Sequence, residues 1–324
     1  MLYQLLSDLM SNNVIIAIGA AFSLIATYLL LRFPPKFLPR DHGRAFAVNG
    51  ELSKGKLRGV GLIIVAVFLA ALILFFPISI EYYIYGAIIF LMMLSGYLDD
   101  ASKNPWSDYK KGAIDLLLSI MMVVTFLMYN DSYVVVLKTQ IPIHPVIYGI
   151  LGIILIWVSV NVTNCSDGVD GLCGSVSVVA FIAYFLIFGK GMFFSDRAGA
   201  VFFAASLLAY LRFNWHPSTM LMGDAGSRAI GIYLALLAMK SMHPFSFLLI
   251  GLVFILDGGL GLVKVFIMRF LKIPFLKNIR CPIHDHLRKN KGWKDVPVVL
   301  FMIGSEIVMC VIMGVLMYVV HRAM

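Results

Sequence analysis

The sequence predicts an all-α polytopic membrane protein of about ten transmembrane helices. Three observations carry the prediction. Hydrophobic residues fill 61% of 324 positions, and charged residues only 13%. Mean hydropathy is +0.93. Apolar runs long enough to cross a bilayer, roughly 18 residues or more, recur along the whole chain.

The spans follow in order. Val14–Leu31, Gly59–Ile80, Pro145–Ser166 and Gly171–Gly189 are free of charge throughout. Tyr82–Leu98, Gly112–Asn130, Ala198–Trp215, Ala225–Met242, His243–Leu271 and Val296–Val320 are less pure but apolar enough to join them. In the eighth, Arg228 and Lys240 lie near the ends and are expected to snorkel toward the interface. The start before the first span is uncharged and polar, and no small-residue cleavage pattern follows it, so we read that span as retained rather than as a cleavable signal. No polar stretch is long enough for a core of its own, and residues 1–324 read as a single integral membrane domain. Between the fourth and fifth spans, Tyr133–His144 has strand-like content with a turn near Thr139 and Gln140. A short extracytoplasmic β-hairpin or a plain loop both suit it.

A formal charge of +9 could suggest nucleic acid, but its distribution argues against that partner. Seven basic residues, Arg32, Lys36, Arg40, Arg44, Lys54, Lys56 and Arg58, fall between spans one and two. Eight more run from Arg269 to Lys294, around the ninth span's end. The alternate connections are nearly bare. By the positive-inside bias the basic loops are cytoplasmic and both termini extracytoplasmic. The positive charge therefore reports topology first, and attraction to anionic lipid and phosphate second. The four cysteines form no CxxC pair, which predicts neither a disulfide nor a zinc site.

Six aspartates fall at the cytoplasmic ends of spans or in cytoplasmic loops: Asp99, Asp100, Asp167, Asp170, Asp224 and Asp285. They come from separate places in the sequence yet share one membrane face, which is the main sign of an active site. Asp99 and Asp100 end span three; paired carboxylates repel and need compensating cations, and Lys103, Lys110 and Lys111 are near, although taken alone the pair suits a solvated helix end better than a site. In Asn161-x-x-Asn164-x-x-Asp167-Gly168-x-Asp170, a spacing of three puts polar groups on one stripe of a helix. One helix cap needs one such residue, not four, so the stripe asks for a ligand: a metal, a ribose or a uracil. Asn214 precedes a third group, Met222-Gly223-Asp224-Ala225-Gly226-Ser227, where a helix start can face a phosphate and Asp224 can hold Mg²⁺ or merely cap the helix. His284, Asp285 and His286 form the fourth, in a basic loop suited to phosphate contacts or to lying at the interface with Trp293 as an anchor. Asp257 and Glu306 lie within spans; intramembrane carboxylates suit function, but the glycines after Asp257 equally suit a structural hydrogen bond.

Taken together, NVTNCSDGVDGL (Asn161–Leu172), FNWHPSTMLMGDAGS (Phe213–Ser227) and PIHDHLRKNKGW (Pro282–Trp293) resemble the polyprenyl-phosphate N-acetylhexosamine-1-phosphate transferase superfamily. The likeness is to its phospho-N-acetylmuramoyl-pentapeptide transferase branch, and runs from about Gly96 to Val299. It implies transfer of phospho-N-acetylmuramoyl-pentapeptide from its UDP-linked donor to undecaprenyl phosphate, giving lipid I and UMP, with Mg²⁺ as cofactor. It implies Asp99, Asp100, Asp224, His284, His286 and Lys111 as catalytic residues. Substrate contacts fall to Asn161, Asn164, Asp167, Asp170, Asn214 and Asp285, with Asp224 and Asp167 at the metal. Membrane lipids, a homodimer and the bacterial plasma membrane follow from the same likeness. The chain also departs from the branch. Asp285 stands where a middle histidine is usual, Leu221 replaces a phenylalanine, and KGKLRGVG (Lys54–Gly61) lacks the expected Thr-Pro-Thr-Met-Gly-Gly run. Two other readings remain: a transferase taking UDP-N-acetylglucosamine, and a proton- or cation-coupled transporter using Asp257 and Glu306.

Overall fold

A computed structural model describes residues 2–41, 43, 50–77, 79–102, 104–136 and 138–322. Lys103 and Arg44, two of the basic residues noted above, lie outside the described residues. The chain is an all-α membrane protein. Among the described residues, six helices are long and apolar enough to cross a membrane: α1 (Asn12–Arg32), α3 (Ile80–Asp100), α4 (Asp108–Tyr129), α5 (Pro145–Cys165), α7 (Phe194–Asn214) and α11 (Asp295–Arg322). A seventh candidate, α9, is a pair of segments, Pro244–Ile250 and Leu252–Leu271, bent by 67° where Gly251 leaves helical geometry. Beside the break, the Glu306 carboxylate of α11 takes a hydrogen bond from the Val253 backbone and is fully buried.

The other predicted spans exist as helices but differ from the simple pattern. The helix α2 (Gly61–Phe75) is shorter than the predicted Gly59–Ile80. Phe76 turns extended at φ −96° and ψ 151° because Pro77 follows, and a residue before proline is pushed out of the helical region. The helix α6 (Leu172–Phe188) finishes in a wide π turn from Tyr184. Most informative is α8 (Gly223–Lys240), the predicted eighth span, every residue of which is buried. Its apolar surface meets protein rather than lipid, so its sequence tolerates charges that a lipid-facing helix would not. A short helix, α10 (Ile283–Lys289), carries the His284 segment. Residues Tyr133–Val136 (β1) and Thr139–Pro142 (β2) pair antiparallel, Val134 opposite Ile141, so the strand-like segment is a hairpin.

The expectation that Arg228 and Lys240 snorkel is overturned. They are 1% and 2% exposed. Arg228 turns inward to the buried Asp115 of α4, with Nε 3.1 Å from Oδ1. Lys240 places Nζ 3.0 Å from Glu81 Oε1 and 2.9 Å from Asn130 Oδ1. Nearby, the Tyr82 hydroxyl donates to Asp196 at 3.0 Å, and the Tyr85 hydroxyl to Glu81 at 2.9 Å. Each of these two cations of α8 has found a carboxylate on another helix, which removes the reason to reach for water.

Removing one partner of such a pair leaves the other charged and buried. Lys240→Met is expected to destabilise the protein by about 3–5 kcal/mol. Thermal unfolding in detergent, compared with an exposed control such as Lys190→Met, checks this; equal midpoints contradict it.

Candidate active site

Five segments converge at one end of the bundle. Asp99 and Asp100 end α3, Lys111 stands in the first turn of α4, Asn164 closes α5, Asp224 opens α8, and Arg58 precedes α2. The Lys111 ammonium bridges two carboxylates: it pairs with Asp99 Oδ2 and lies 3.2 Å from Asp224 Oδ2. Arg58 bridges three. Its Nε is 2.8 Å from Asp100 Oδ1, Nη2 is 3.7 Å from Asp224 Oδ1, and Nη1 is 3.4 Å from Asp41 Oδ1. Asp99 also accepts the Trp106 backbone N–H at 2.7 Å. Asp100 accepts the Ala225 N–H at 3.1 Å, taking one of the free donors at the start of α8. Asn164 donates to Asp224 Oδ2 at 3.4 Å and accepts from Ser227 at 3.0 Å.

Asp41, Asp99, Asp100 and Asp224 are all nearly buried, and the two cations among them are Arg58 and Lys111. Burial works against the charge on Arg58, but Asp100, Asp224 and Asp41 outweigh it and raise its pKa above the ordinary arginine value. It therefore stays a cation. Among the described residues, four carboxylates face two cations here, an arrangement that suits a further cation.

The backbone explains how Arg58 arrives there. Leu57 and Met220 form a parallel bridge; Leu221 donates to the Leu57 carbonyl at 2.8 Å and Gly61 to the Met222 carbonyl at 3.0 Å. The KGKLRGVG segment is thus laced along the strand-like approach to Asp224, which aims Arg58 at the aspartates. At Gly223 the chain turns with φ +67°, a conformation glycine adopts without strain, and a Cβ there would collide with the Asp100 carboxylate.

A second group adjoins this one. Asp170 accepts the Ser218 N–H at 2.9 Å and its hydroxyl at 2.7 Å, with Lys56 Nζ 3.6 Å and His216 Nδ1 3.5 Å away. Asn214 spends both amide atoms on backbone, accepting from Gly171 at 2.9 Å and donating to Met220 at 2.8 Å. It therefore ties the loop after α5 to the loop before α8. Asp167 is half-buried, and its N–H donates to the Asn164 carbonyl at 3.2 Å.

His284 comes in from α10. Both its N–H and its Nδ1 lie 2.8 Å from the Asp257 carboxylate of α9. With Nδ1 held there, Nε2 faces the Asp167-Gly168 turn: a Cβ on Gly168 would sit 2.5 Å from it. Asp285 lies 3.6 Å from the same Nε2 and 2.5 Å from Arg288, which also donates to the Gly168 carbonyl at 3.3 Å. Two expected residues have other contacts. Asn161 donates back to the Trp157 carbonyl of its own helix at 2.8 Å, and His286 accepts from the Arg280 N–H at 3.3 Å.

Sequence reasoning did not single out Arg58 or Asp41, because a basic loop already had a topological explanation. Asp257 was noticed as an intramembrane carboxylate. Its partner, His284, could not be read from a separation of 27 residues.

Residues 82–242 match the family described as Glycosyl transferase family 4. The chain is similar to the phospho-N-acetylmuramoyl-pentapeptide-transferase of Treponema pallidum, 34% identical over 95% of this chain and 91% of the relative. It is 28% identical to the protein of that name from Wolinella succinogenes, over 87% of this chain and 88% of the relative. A third, from Lactobacillus helveticus, is 29% identical over 64% and 67%.

Gly223→Ala tests the close approach at the heart of the site. Left-handed backbone alone costs an L-residue about 1–2 kcal/mol, and the methyl group must also displace Asp100. We expect a lower thermal midpoint than in Gly304→Ala, where a Cβ meets open space. Equal midpoints would show that the turn relaxes freely.

Proposed function

We propose that this chain, which belongs to the phospho-N-acetylmuramoyl-pentapeptide transferase family, performs that transfer at the inner boundary of the bacterial plasma membrane. The donor is UDP-N-acetylmuramoyl-pentapeptide, the acceptor undecaprenyl phosphate, and the products lipid I and UMP, in peptidoglycan synthesis. The single observation that carries the residue assignments is the joining of Asp99, Asp100 and Asp224 by Lys111 and Arg58. The positive-inside bias of the basic loops supports a cytoplasmic side for this end of the bundle, with both termini outside. A cytosolic nucleotide and a lipid-anchored phosphate can meet only at such a boundary.

The bond changes are simple. An oxygen of the lipid phosphate attacks the sugar-linked phosphorus of the diphosphate, the bond from that phosphorus to the UMP oxygen breaks, and UMP leaves with the electron pair. A phosphate monoester is already largely anionic near neutral pH, so little base strength is needed. The barrier lies in bringing two anions together.

Magnesium suits the donor set. Its oxygens are hard carboxylate ligands carrying excess negative charge, and Mg²⁺ takes one or two carboxylates beside phosphate and water. Among the described residues no three His, Cys, Asp or Glu side chains form a metal cage, so the ion proposed here draws its remaining ligands from substrate and water. Asp224 and Asp167 would hold it, and when bound it would neutralise charge on the diphosphate. Because both Asp224 oxygens face a side-chain cation, Arg58 and Lys111 turn from carboxylate to phosphate as substrate enters. Asp99, fixed by the Trp106 N–H, positions or deprotonates the lipid phosphate, and Asp100 keeps Arg58 and the start of α8 in place. His284, oriented by Asp257, and His286 offset phosphate charge. Asn161, Asn164, Asp170, Asn214 and Asp285 shape the nucleotide and sugar side.

No observation favours a transporter: Asp257 is occupied by His284, and Glu306 is fully buried beside the bend. The deciding assay combines purified protein, Mg²⁺, undecaprenyl phosphate and each UDP-sugar, and measures UMP. Release from the pentapeptide donor alone is expected; release from UDP-N-acetylglucosamine instead would reassign the substrate. Asp224→Asn should abolish Mg²⁺-dependent release without loss of expression, and near-normal turnover rejects its metal role. Arg58→Gln should lower kcat/KM about 10- to 100-fold, the range of one charged contact to a developing phosphate charge, with Arg58→Lys partly active. Unchanged kinetics in Arg58→Gln would make it a structural counter-ion only.

A further inference from the structure

A buried ion pair just below the site lies outside the scheme. Asp115 of α4 and Arg228 of α8 are 3% and 1% exposed, and they face each other across the bundle. Arg228 Nε lies 3.1 Å from Asp115 Oδ1, and Nη2 pairs with the same oxygen. The third nitrogen, Nη1, is buried with no hydrogen-bond partner. That is a costly arrangement for two helices that must bury charge in a membrane. The two helices are not closely packed on each other, so this pair spans them where little apolar contact does.

The spacing points to a purpose. Asp115 follows Lys111 by four residues on α4, and Arg228 follows Asp224 by four on α8. Residues four apart share a helix face. The same two faces therefore carry two stacked pairs of opposite polarity: Lys111 to Asp224 at the active site, and Asp115 to Arg228 one turn deeper. A slide of either helix by one turn would set Lys111 opposite Arg228, or Asp115 opposite Asp224, and like charges would meet. Only the observed register pairs all four. An apolar contact has no such preference.

We propose that Asp115 and Arg228 are positioning residues that hold α4 and α8 in one register and so keep Lys111 on Asp99 and Asp224. The pair touches no substrate. Its role in turnover rests on the transferase reading above.

The test uses the purified full-length protein and two readouts. Single variants Asp115→Asn and Arg228→Gln each leave a buried group unpaired and can fail to fold. The Asp115→Leu/Arg228→Leu double variant removes both charges and keeps apolar packing, and it carries the decision. Its thermal midpoint and elution volume confirm folding. One readout is the rate at which Lys111 reacts with a water-soluble amine-modifying reagent, followed by mass spectrometry with Lys190 as internal control. The other is the split between kcat and KM for the UDP-linked donor. With the register loosened, Lys111 labelling should rise threefold or more and kcat should fall about tenfold, while KM changes less than threefold. A folded double variant with parental labelling and parental kcat overturns the proposal, as does faster labelling at parental kcat. A parent that releases no UMP from either sugar defeats the transferase reading instead, and the labelling comparison then decides the register claim by itself.

Discussion

A charge inside a membrane protein must be answered by another charge within reach, and α8 imposes that demand on the rest of the bundle. It is buried along its whole length yet carries Asp224, Arg228 and Lys240. At the active-site end Asp224 meets Lys111 and Arg58, one turn deeper Arg228 meets Asp115, and at the far end Lys240 meets Glu81. These contacts fix polar points along α8, whose helical neighbours are chiefly α3 and α5. Hydrophobic burial supplies most of the gross stability, but lipid tails and leucines are alike in that respect and give little direction. Direction comes from the ion pairs.

The same demand shapes the catalytic end. Three aspartates from two helices would repel if left alone, and two side-chain cations hold them together before any ligand enters. A site built this way holds its cations in place before any ligand enters. It also explains the glycine at position 223, since the turn into α8 runs directly over Asp100. The histidine arm follows similar logic. Asp257, which lies in the bent helix, fixes the ring of His284 and leaves its other nitrogen over the Asp167-Gly168 turn.

Much of this was legible in the sequence. All ten apolar segments are helices, since apolar length and helical backbone satisfaction go together in lipid. The gathering of Asp99, Asp100, Asn164 and Asp224 followed from their shared depth. What escaped was of two kinds. Span ends and interruptions depend on local chemistry: Pro77 shortens α2, and Gly251 breaks α9. Long-range pairing depends on geometry that no spacing reveals. Arg228 and Lys240 looked like snorkelling residues because their partners, Asp115 and Glu81, are 113 and 159 residues away. Arg58 looked like one more positive charge in a basic loop, and only the bridge between Leu57 and Met220 shows where it goes.

The order of these partners along the chain has a consequence for how the protein is made. Arg58, Glu81, Asp100, Lys111, Asp115, Asn130, Asn164 and Asp196 all precede residue 223. During synthesis, then, a vestibule of polar groups is already in the bilayer when α8 leaves the ribosome. The helix that lipid by itself would reject arrives after them, and it enters as a plug into a socket whose charges await it.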